Sequence, residues 1–252
     1  MTVTIFHPEE DISLKEKIVG IIGGMGPEAT VDLMNRIIRA TPALDDSDHI
    51  RMLVDNNPKI PSRIKAILEG NGESPIPCLQ EMARRLESWG VDFLAMPCNT
   101  AHYYHQDIQK AVNIPVLNMI DLAVHAVIES NPDLKCVGLL ASTAVLHLEL
   151  YAKRFARRNV RLEAPTDWIQ SDIMQAIKKI KTSRYGSEVV AAIQAGVDDL
   201  LKRGAECLLI ACTEISIVGG RLGSPVAIFD SAQILAESII KEACKSNSGS
   251  CP

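Results

Sequence analysis

An apolar segment that ends in a cysteine occurs twice in the chain. The first copy is LESWGVDFLAMPCNTAH (86–102), in which a glycine stands eight residues before Cys98. The second is LLKRGAECLLIACTEIS (200–216), in which a glycine stands eight residues before Cys212. A short apolar run bounded by turn residues is typical of a buried strand. The repetition therefore predicts two similar units, each of which presents a cysteine just after a strand.

The similarity between the two halves extends beyond the cysteine segments. IVGIIGGMG (18–26) corresponds to CVGLLASTA (136–144), and IPVLNMIDLA (114–123) corresponds to SPVAIFDSAQ (224–233). Ligand groups in open parallel sheets lie at the carboxyl ends of the strands. We therefore expect two similar parallel-sheet α/β domains related by pseudo-two-fold symmetry, with the active site in the cleft between them.

Short apolar runs alternate with longer amphipathic stretches, which is typical of βα units and a parallel sheet. Most of the runs are apolar throughout, as strands covered on both faces are. Strands are predicted at 17–24, 49–56, 92–97, 116–120, 136–142, 207–212 and 226–230. Helical stretches are predicted between the strands, including 27–40, 78–89, 102–111, 145–158, 188–203 and 231–244.

The composition excludes several classes of protein. A net charge of -5 gives no reason to expect binding to nucleic acid or to a membrane surface. No apolar run approaches the roughly 18 residues of a membrane span, and the opening segment (1–17) is too acidic and polar for a signal peptide. The seven cysteines are an odd number and are scattered, so thiols are expected rather than disulfides. The sequence predicts a cytoplasmic protein with a small-molecule ligand.

Two cysteines that face each other suit a particular proton transfer. A thiolate can take a proton from one face of a carbon atom while a thiol supplies a proton to the other face. Cys98 is followed by Asn99 and Thr100, and Cys212 is followed by Thr213 and Glu214. The turn after each cysteine provides backbone N–H groups that can hold a carboxylate while charge develops at the α-carbon.

The motifs of the chain, taken in order, resemble those of a known family. The chain is similar to the aspartate/glutamate racemase family, and specifically to its aspartate racemase branch, from about residue 17 to 243. The pairing of PCNTAH with a later CTE is specific, whereas either alone is weak. The motifs are GGMGPEAT (23–30), NNPKIPSR (56–63), MPCNTAH (96–102), LLAST (139–143) with Tyr151 downstream, and ACTEI (211–215).

The resemblance implies a fold, a mechanism and an assembly. The implied activity is a cofactor-independent, two-base racemisation in which Cys98 and Cys212 each act on one enantiomer. The implied domains are 1–113 plus 222–252 and the inserted 114–221. The expected assembly is a homodimer, and no cofactor or metal is expected. We expect an acidic amino acid as substrate, aspartate first and glutamate second.

The resemblance also implies a set of substrate-binding residues. Arg63, and with it Lys181, is expected at the side-chain carboxylate, because arginine suits bidentate carboxylate contacts. The implied set is Met25, Asn57, Arg63, Asn99, Thr100, Ser142, Thr143, Lys181, Thr213 and Glu214.

Three residues depart from the family pattern and bear on the substrate. Ala144 and Val145 stand where many relatives have a Gly-Thr pair, and Lys178 stands where a tyrosine is common. These departures keep open a racemase of another amino acid, or an enzyme like a hydantoin racemase or a maleate isomerase. A catalytically inactive amino-acid-binding protein is a further alternative, although binding a carboxylate does not require two thiols.

Two other motifs have simpler explanations. Cys98, His102 and His105 are spaced so that they could hold a metal on one helix face, but no fourth ligand is apparent. GMGPEA (24–29) fits a relaxed dinucleotide-binding pattern, but no acidic residue clearly ends a second strand about 20 residues later. The glycines are better explained by close approach of the backbone to a carboxylate.

Overall fold

The computed structural model describes residues 17–70, 72–183 and 185–245. The predicted tails at 1–16 and 246–252 lie outside the described residues. Within the described ranges, no helix combines the length and the apolar character needed to cross a bilayer.

The first half of the chain forms a parallel sheet around its first strand. Strands β1 (Val19–Gly23), β2 (Met52–Asn56) and β3 (Phe93–Ala95) are arranged in the order β2-β1-β3. A parallel bridge between Leu94 and Val116 adds a fourth segment beside β3. β1 and β3 are fully buried, in agreement with their apolar sequences.

The second half repeats this arrangement. Strands β4 (Cys136–Ala141), β5 (Arg161–Glu163), β6 (Cys207–Ala211) and β7 (Ile228–Asp230) form a parallel sheet in the order β5-β4-β6-β7. When the four strand segments of each half are numbered along the chain, their spatial order in both sheets is therefore second, first, third and fourth. The two parallel α/β units are confirmed, and their matching strand order is consistent with the predicted pseudo-two-fold symmetry.

Helices connect the strands and cover the sheets. Short 3₁₀ turns occur at Asp46–Asp48 and Thr100–Tyr104, and a π-helical turn occurs at Lys65–Glu69. The α-helices are α1 (Pro27–Ala40), α2 (Ile76–Ser88), α3 (His105–Gln109), α4 (Met119–Ser130), α5 (Thr143–His147), α6 (Ala152–Ala156), α7 (Asp167–Ile180), α8 (Ser187–Lys202), α9 (Thr213–Gly219) and α10 (Ser231–Ala243).

The glycines of the repeat have the same structural role in both halves. Gly90 follows the C-terminal end of α2 with φ of 85°, and Gly204 follows that of α8 with φ of 86°. Glycine adopts this left-handed backbone without steric cost and commonly ends a helix there. Each glycine thus directs the chain from a helix into the strand that precedes a cysteine.

The predicted strand at 116–120 is wrong for most of its length. Val116 makes a single bridge, and the Asn118 side chain then accepts hydrogen bonds from the backbone N–H groups of Ile120 and Asp121. An asparagine with this pattern is a helix N-cap. Helix α4 consequently begins at Met119, although the sequence there is apolar enough for a strand.

Two further elements differ from the prediction. The predicted helix at 145–158 is divided into α5 and α6, and Glu149 between them has φ of 52°. Strand β5 was not predicted. It has three residues, and Arg161 is exposed, so it lacks the apolar run that marked the other strands.

The last helix of each half packs against the sheet of the other half. In α10, Leu235 and Ile239 join the core that contains Ile21 and Phe93 of the first sheet. In α4, Val127 joins the core of the second sheet. The domain boundaries 1–113 plus 222–252 and 114–221 stay a prediction. We propose that the chain crosses after residue 117 and again after residue 230, because the bridge at Val116 belongs to the first sheet and β7 to the second.

Candidate active site

A small cavity lies where the two halves meet, and both repeated cysteines line it. Its volume is about 20 Å³. The lining comes from the segments that follow β1, β3, β4 and β6, together with one turn of the first half and the end of α7. The lining residues are Met25, Arg63, Ile64, Cys98, Asn99, Thr100, Ser142, Ile177, Lys181, Ala211, Cys212, Thr213 and Glu214.

Cys98 is held in a turn after β3. It is buried, and its backbone N–H donates to the carbonyl of Met96 at 2.9 Å. The next residue, Asn99, is fixed from the second half: its Nδ2 donates to Ser231 Oγ at 3.1 Å and its Oδ1 accepts from the Tyr151 hydroxyl at 2.5 Å. Burial raises the pKa of Tyr151 above its usual value, so this hydroxyl stays protonated and acts as a donor.

His102 supports the Cys98 turn from behind. Its Nε2 accepts a hydrogen bond from the Met119 backbone N–H at 3.0 Å, so Nδ1 carries the proton and donates to the Cys98 carbonyl at 2.8 Å. Burial lowers the pKa of His102 to about 4, which keeps the ring neutral. Both ring nitrogens therefore form hydrogen bonds with backbone groups.

The three-residue metal alternative does not fit this geometry. His102 has no free nitrogen, and Nε2 of His105 bonds to the carbonyl of Val116 at 2.9 Å. Among the residues that the structure describes, no three His, Cys, Asp or Glu side chains cluster as metal ligands. Cys98 lines the cavity, whereas neither His102 nor His105 does.

Cys212 has a different environment from Cys98. It is the N-cap residue of α9, and its Sγ donates a hydrogen bond to Glu214 Oε2 at 3.2 Å. Burial, and secondarily the charge of Glu214, raises the pKa of the Cys212 thiol well above its usual value. The other oxygen of Glu214, Oε1, lies 3.7 Å from Lys181 Nζ. A thiol, a carboxylate and an ammonium thus follow one another along the cavity wall.

Arg63 joins two loops of the first half at the cavity. Its Nη1 donates to the Pro61 carbonyl at 3.1 Å, and its Nη2 lies 3.5 Å from the Met25 carbonyl. Its Nε is buried and has no hydrogen-bond partner among the described residues. A guanidinium that has an unused donor is suited to receiving an anionic ligand.

The two cysteine turns are in direct contact across the halves. Thr213 Oγ1 donates to the Pro97 carbonyl at 3.2 Å, and Thr100 Oγ1 lies 3.3 Å from Ser142 Oγ. These contacts fix the position of one cysteine turn relative to the other. The cavity is consequently assembled only when the halves are together.

Two of the predicted site residues lie outside the cavity lining. Asn57 packs against the loop after β1. A Cβ added to Gly24 (φ 95°) in this loop would lie 2.2 Å from the Asn57 backbone. Thr143 Oγ1 accepts a hydrogen bond from Gln170 Nε2 at 3.3 Å. All the other predicted site residues line the cavity.

The departures from the family pattern also lie outside the cavity lining. Ala144 and Val145 are fully buried in the second half, and Lys178 is exposed. Three apolar lining residues, Ile64, Ile177 and Ala211, are absent from the predicted site set. Ile177 lies four residues before Lys181, one helical turn away, and this spacing could have identified it.

Known proteins resemble the chain over nearly its whole length. An aspartate racemase from Picrophilus torridus superposes with a TM-score of 0.80 at 33% identity, covering 90% of this chain and 94% of that one. A broad specificity amino-acid racemase from Bacillus subtilis is 26% identical over 227 residues, which are 88% of this chain and 96% of the relative. A putative Asp/Glu racemase from Yersinia pestis shares the fold, with a TM-score of 0.73 at 21% identity over 90% of this chain and 99% of that one.

The family assignment rests on the extent of the match. The family described as Asp/Glu/hydantoin racemase matches residues 22–239, a range that includes every lining residue of the cavity. The chain therefore belongs to the Asp/Glu/hydantoin racemase family, whose members are isomerases.

Proposed function

We propose that this enzyme inverts the α-carbon of an amino acid without a cofactor, using Cys98 and Cys212 as the two acid/base groups. One observation carries the proposal. The two thiols follow equivalent strands, β3 and β6, of two similar sheets, and both line one cavity. Binding an amino acid requires no such pair, whereas moving a proton from one face of the α-carbon to the other requires a group on each side.

The proposed steps use only groups that line the cavity. One cysteine, as thiolate, takes the α-proton, and the thiol of the other cysteine gives its proton to the opposite face. Asn99, Thr100 and Thr213, with the backbone N–H groups of the turns, hold the α-carboxylate as charge develops. The direction of racemisation decides which cysteine begins as thiolate.

The cations of the cavity favour an acidic substrate, with aspartate first and glutamate second. Arg63 has an unused donor, and Lys181 is the other cation of the lining. The similarity to an aspartate racemase at 33% identity supports this choice. A homodimeric assembly and a cytoplasmic location remain predictions from the sequence.

A wider range of amino acids is the second candidate. Lys181 is already close to Glu214, and Ile64 and Ile177 add apolar surface to the lining. Such a wall can accept an uncharged side chain. The similarity to a broad specificity amino-acid racemase supports this alternative.

Proton NMR in D₂O tests the proposal. The L and D forms of aspartate, glutamate and several neutral amino acids are each incubated with the protein without added cofactor. We expect loss of the α-proton signal together with formation of the other enantiomer. Cys98→Ser and Cys212→Ser should each reduce inversion by about 10²–10⁴-fold, the usual contribution of a general acid or base.

The matched control is Cys78→Ser, which changes a partly buried thiol outside the cavity lining and should keep its activity. Inversion that survives in both cavity variants would overturn the two-thiol mechanism. Exchange with neutral amino acids alone would select the second candidate.

A further inference from the structure

We infer that Glu214 is the proton partner of Cys212 and that Lys181 pairs with this carboxylate, so that the two thiols are chemically unequal. This inference rests on the proposed racemisation and assigns Glu214 a role in proton transfer instead of the predicted contact with substrate. Three contacts along one wall of the cavity support it.

The geometry places the acceptor at the thiol before any substrate is present. Cys212 Sγ donates to Glu214 Oε2 at 3.2 Å, and the carboxylate is buried, with 6% of its surface exposed. Glu214 Oε1 has no hydrogen-bond partner among the described residues and faces Lys181 Nζ at 3.7 Å. A buried carboxylate is costly unless it is paired. Because the Glu214 carboxylate lies between the Cys212 thiol and the Lys181 ammonium, we infer that it interacts with these two groups and not with the substrate.

Within the described part of the chain, the Cys98 thiol has no such partner. Two residues after Cys98 the chain has Thr100, whose hydroxyl contacts Ser142. Glu214 is the only acidic residue of the described cavity lining. The two cysteines thus occupy equivalent positions in the two halves, but the residues two positions later differ: Thr100 follows Cys98, whereas Glu214 follows Cys212. Of these two residues, Glu214 is the one that can accept a proton from its thiol.

The proton steps balance. With Cys212 as base, its thiol proton passes to Glu214 Oε2, and the thiolate then takes the α-proton of the substrate while the Cys98 thiol protonates the opposite face. After product release, the proton on Glu214 returns to the Cys98 thiolate through solvent. The opposite direction runs through the same steps in reverse: the Cys98 thiol proton passes through solvent to Glu214, and the Cys98 thiolate then takes the α-proton while the Cys212 thiol protonates the other face. Glu214 finally returns its proton to the Cys212 thiolate. No oxidant or second substrate is needed.

Several charged groups lie around Cys212 and Glu214. Lys181 at the end of α7, Arg63 and the Cys98 thiol share the cavity. Asp32, Arg36 and Asp230 pair with one another among α1, β7 and α9 and do not line it. Glu214 and Lys181 are the side-chain charges acting on Cys212, the first raising its pKa and the second lowering it.

The pH dependence of thiol alkylation tests the inference directly. Iodoacetamide labelling of Cys212, read by mass spectrometry, is followed against pH in a Cys98→Ser background without substrate. Glu214→Gln should move the midpoint to lower pH, because it removes the negative charge that raises the Cys212 pKa. In the otherwise unaltered enzyme, Glu214→Gln should lower kcat by about 10²–10⁴-fold, with a much smaller change in KM. Glu214→Asp, which keeps the carboxylate, should restore part of kcat.

Glu206→Gln is the matched control. It removes one negative charge just before β6, where the carboxylate accepts a hydrogen bond from the Lys135 backbone N–H, and it should leave both readouts unchanged. A midpoint for Cys212 that is the same with glutamate and glutamine would overturn the inference. So would a Glu214→Gln enzyme that changes in KM alone, since that is the signature of a substrate contact. The labelling needs no turnover, so it remains decisive if racemisation itself is not found.

Discussion

At the scale of single residues, the cavity depends on neutral groups as much as on charged ones. His102 is fully buried behind Cys98, and both of its ring nitrogens bond to backbone. Protonation would replace the Nε2 acceptor by a second donor facing the Met119 N–H. Burial of the ring is the main cause of a pKa of about 4, compared with 6.5 for an ordinary histidine, and this repulsion would further oppose the charged form.

The lowered pKa of His102 predicts a specific dependence of stability on pH. The folded state binds this proton less readily than the unfolded state, so the stabilisation is fully present above pH 6.5 and is lost as the pH falls toward 4. The loss from this one group should reach about 3 kcal/mol. Urea unfolding at a series of pH values measures it.

Substitution of the histidine isolates its contribution. His102→Gln can still donate to the Cys98 carbonyl but does not titrate, so its free energy of unfolding should fall less steeply between pH 6.5 and 4. His125→Gln is the control, because His125 is exposed and pairs only with Glu129 on the same helix. An unchanged slope in His102→Gln would show that His102 is not buried in neutral form.

At the scale of elements, the glycines that precede each cysteine strand are equivalent. Gly90→Ala and Gly204→Ala each force a Cβ into the left-handed region. At Gly90 no described atom lies within 4 Å of the added Cβ, and at Gly204 the Arg161 guanidinium lies at an ordinary contact distance of 3.8 Å, so backbone strain is the main cost at both positions. Each change should therefore lower the free energy of unfolding by about 1–2 kcal/mol. Gly220→Ala, which has open space and an ordinary helical φ, should cost much less.

The double variant tests whether the two glycines act independently. They lie in separate halves, so the costs of Gly90→Ala and Gly204→Ala should add within about 0.5 kcal/mol. Thermal or urea unfolding of the three variants measures this. A large cost at one position only would contradict the structural equivalence of the halves.

The repeat allowed much of the architecture to be predicted, and the parts that it did not predict have physical explanations. Strands such as β1 and β6 are buried on both faces and are therefore apolar throughout. The segment at 116–120 is equally apolar, but the Asn118 cap begins a helix there, and a capping residue is easily missed within an apolar run. In the structure, Asn118 is the counterpart of Asp230, since each caps the helix after the fourth strand.

The cavity residues were predictable where sequence motifs marked them. Cys98 and Cys212 were identified from the repeat, and the motifs around them identified most of the polar lining. Long-range partners carry no local signal: Tyr151 reaches Asn99 across 52 residues and Ser231 reaches it across 132. Such contacts depend on how the halves pack, which neither spacing nor composition encodes.

At the scale of the whole molecule, the two halves are connected by polar contacts on several sides of the cavity. Arg36 of α1 pairs with Asp230 at 3.0 Å and donates to the Ser216 carbonyl at 2.8 Å. Burial raises the pKa of the Asp230 carboxyl, and the charge of Arg36 opposes this rise. On the side of Lys181, Glu28 of α1 accepts hydrogen bonds from Ser183 and Tyr185, both at 2.8 Å.

The proposed function requires this cavity to widen during turnover. A volume of about 20 Å³ has room for about one or two water molecules, which is far less than an amino acid needs. Glu28 lies three residues after Met25, and Ser183 lies two residues after Lys181, so their contact joins segments that adjoin two lining residues. Breaking this contact is therefore expected to let the cavity open more often.

The last prediction concerns this opening. The two hydrogen bonds to the partly exposed Glu28 should stabilise the closed form by about 1 kcal/mol in total. Glu28→Ala should accordingly raise the rate at which iodoacetamide labels Cys98 and Cys212, without substrate, by about fivefold. Glu237→Ala is the matched control, because the hydrogen bond of Glu237 to the described residues is with Gln233 of its own helix. Equal labelling rates in the two variants would mean that the halves open elsewhere, and the Arg36 contacts would then be the next to remove.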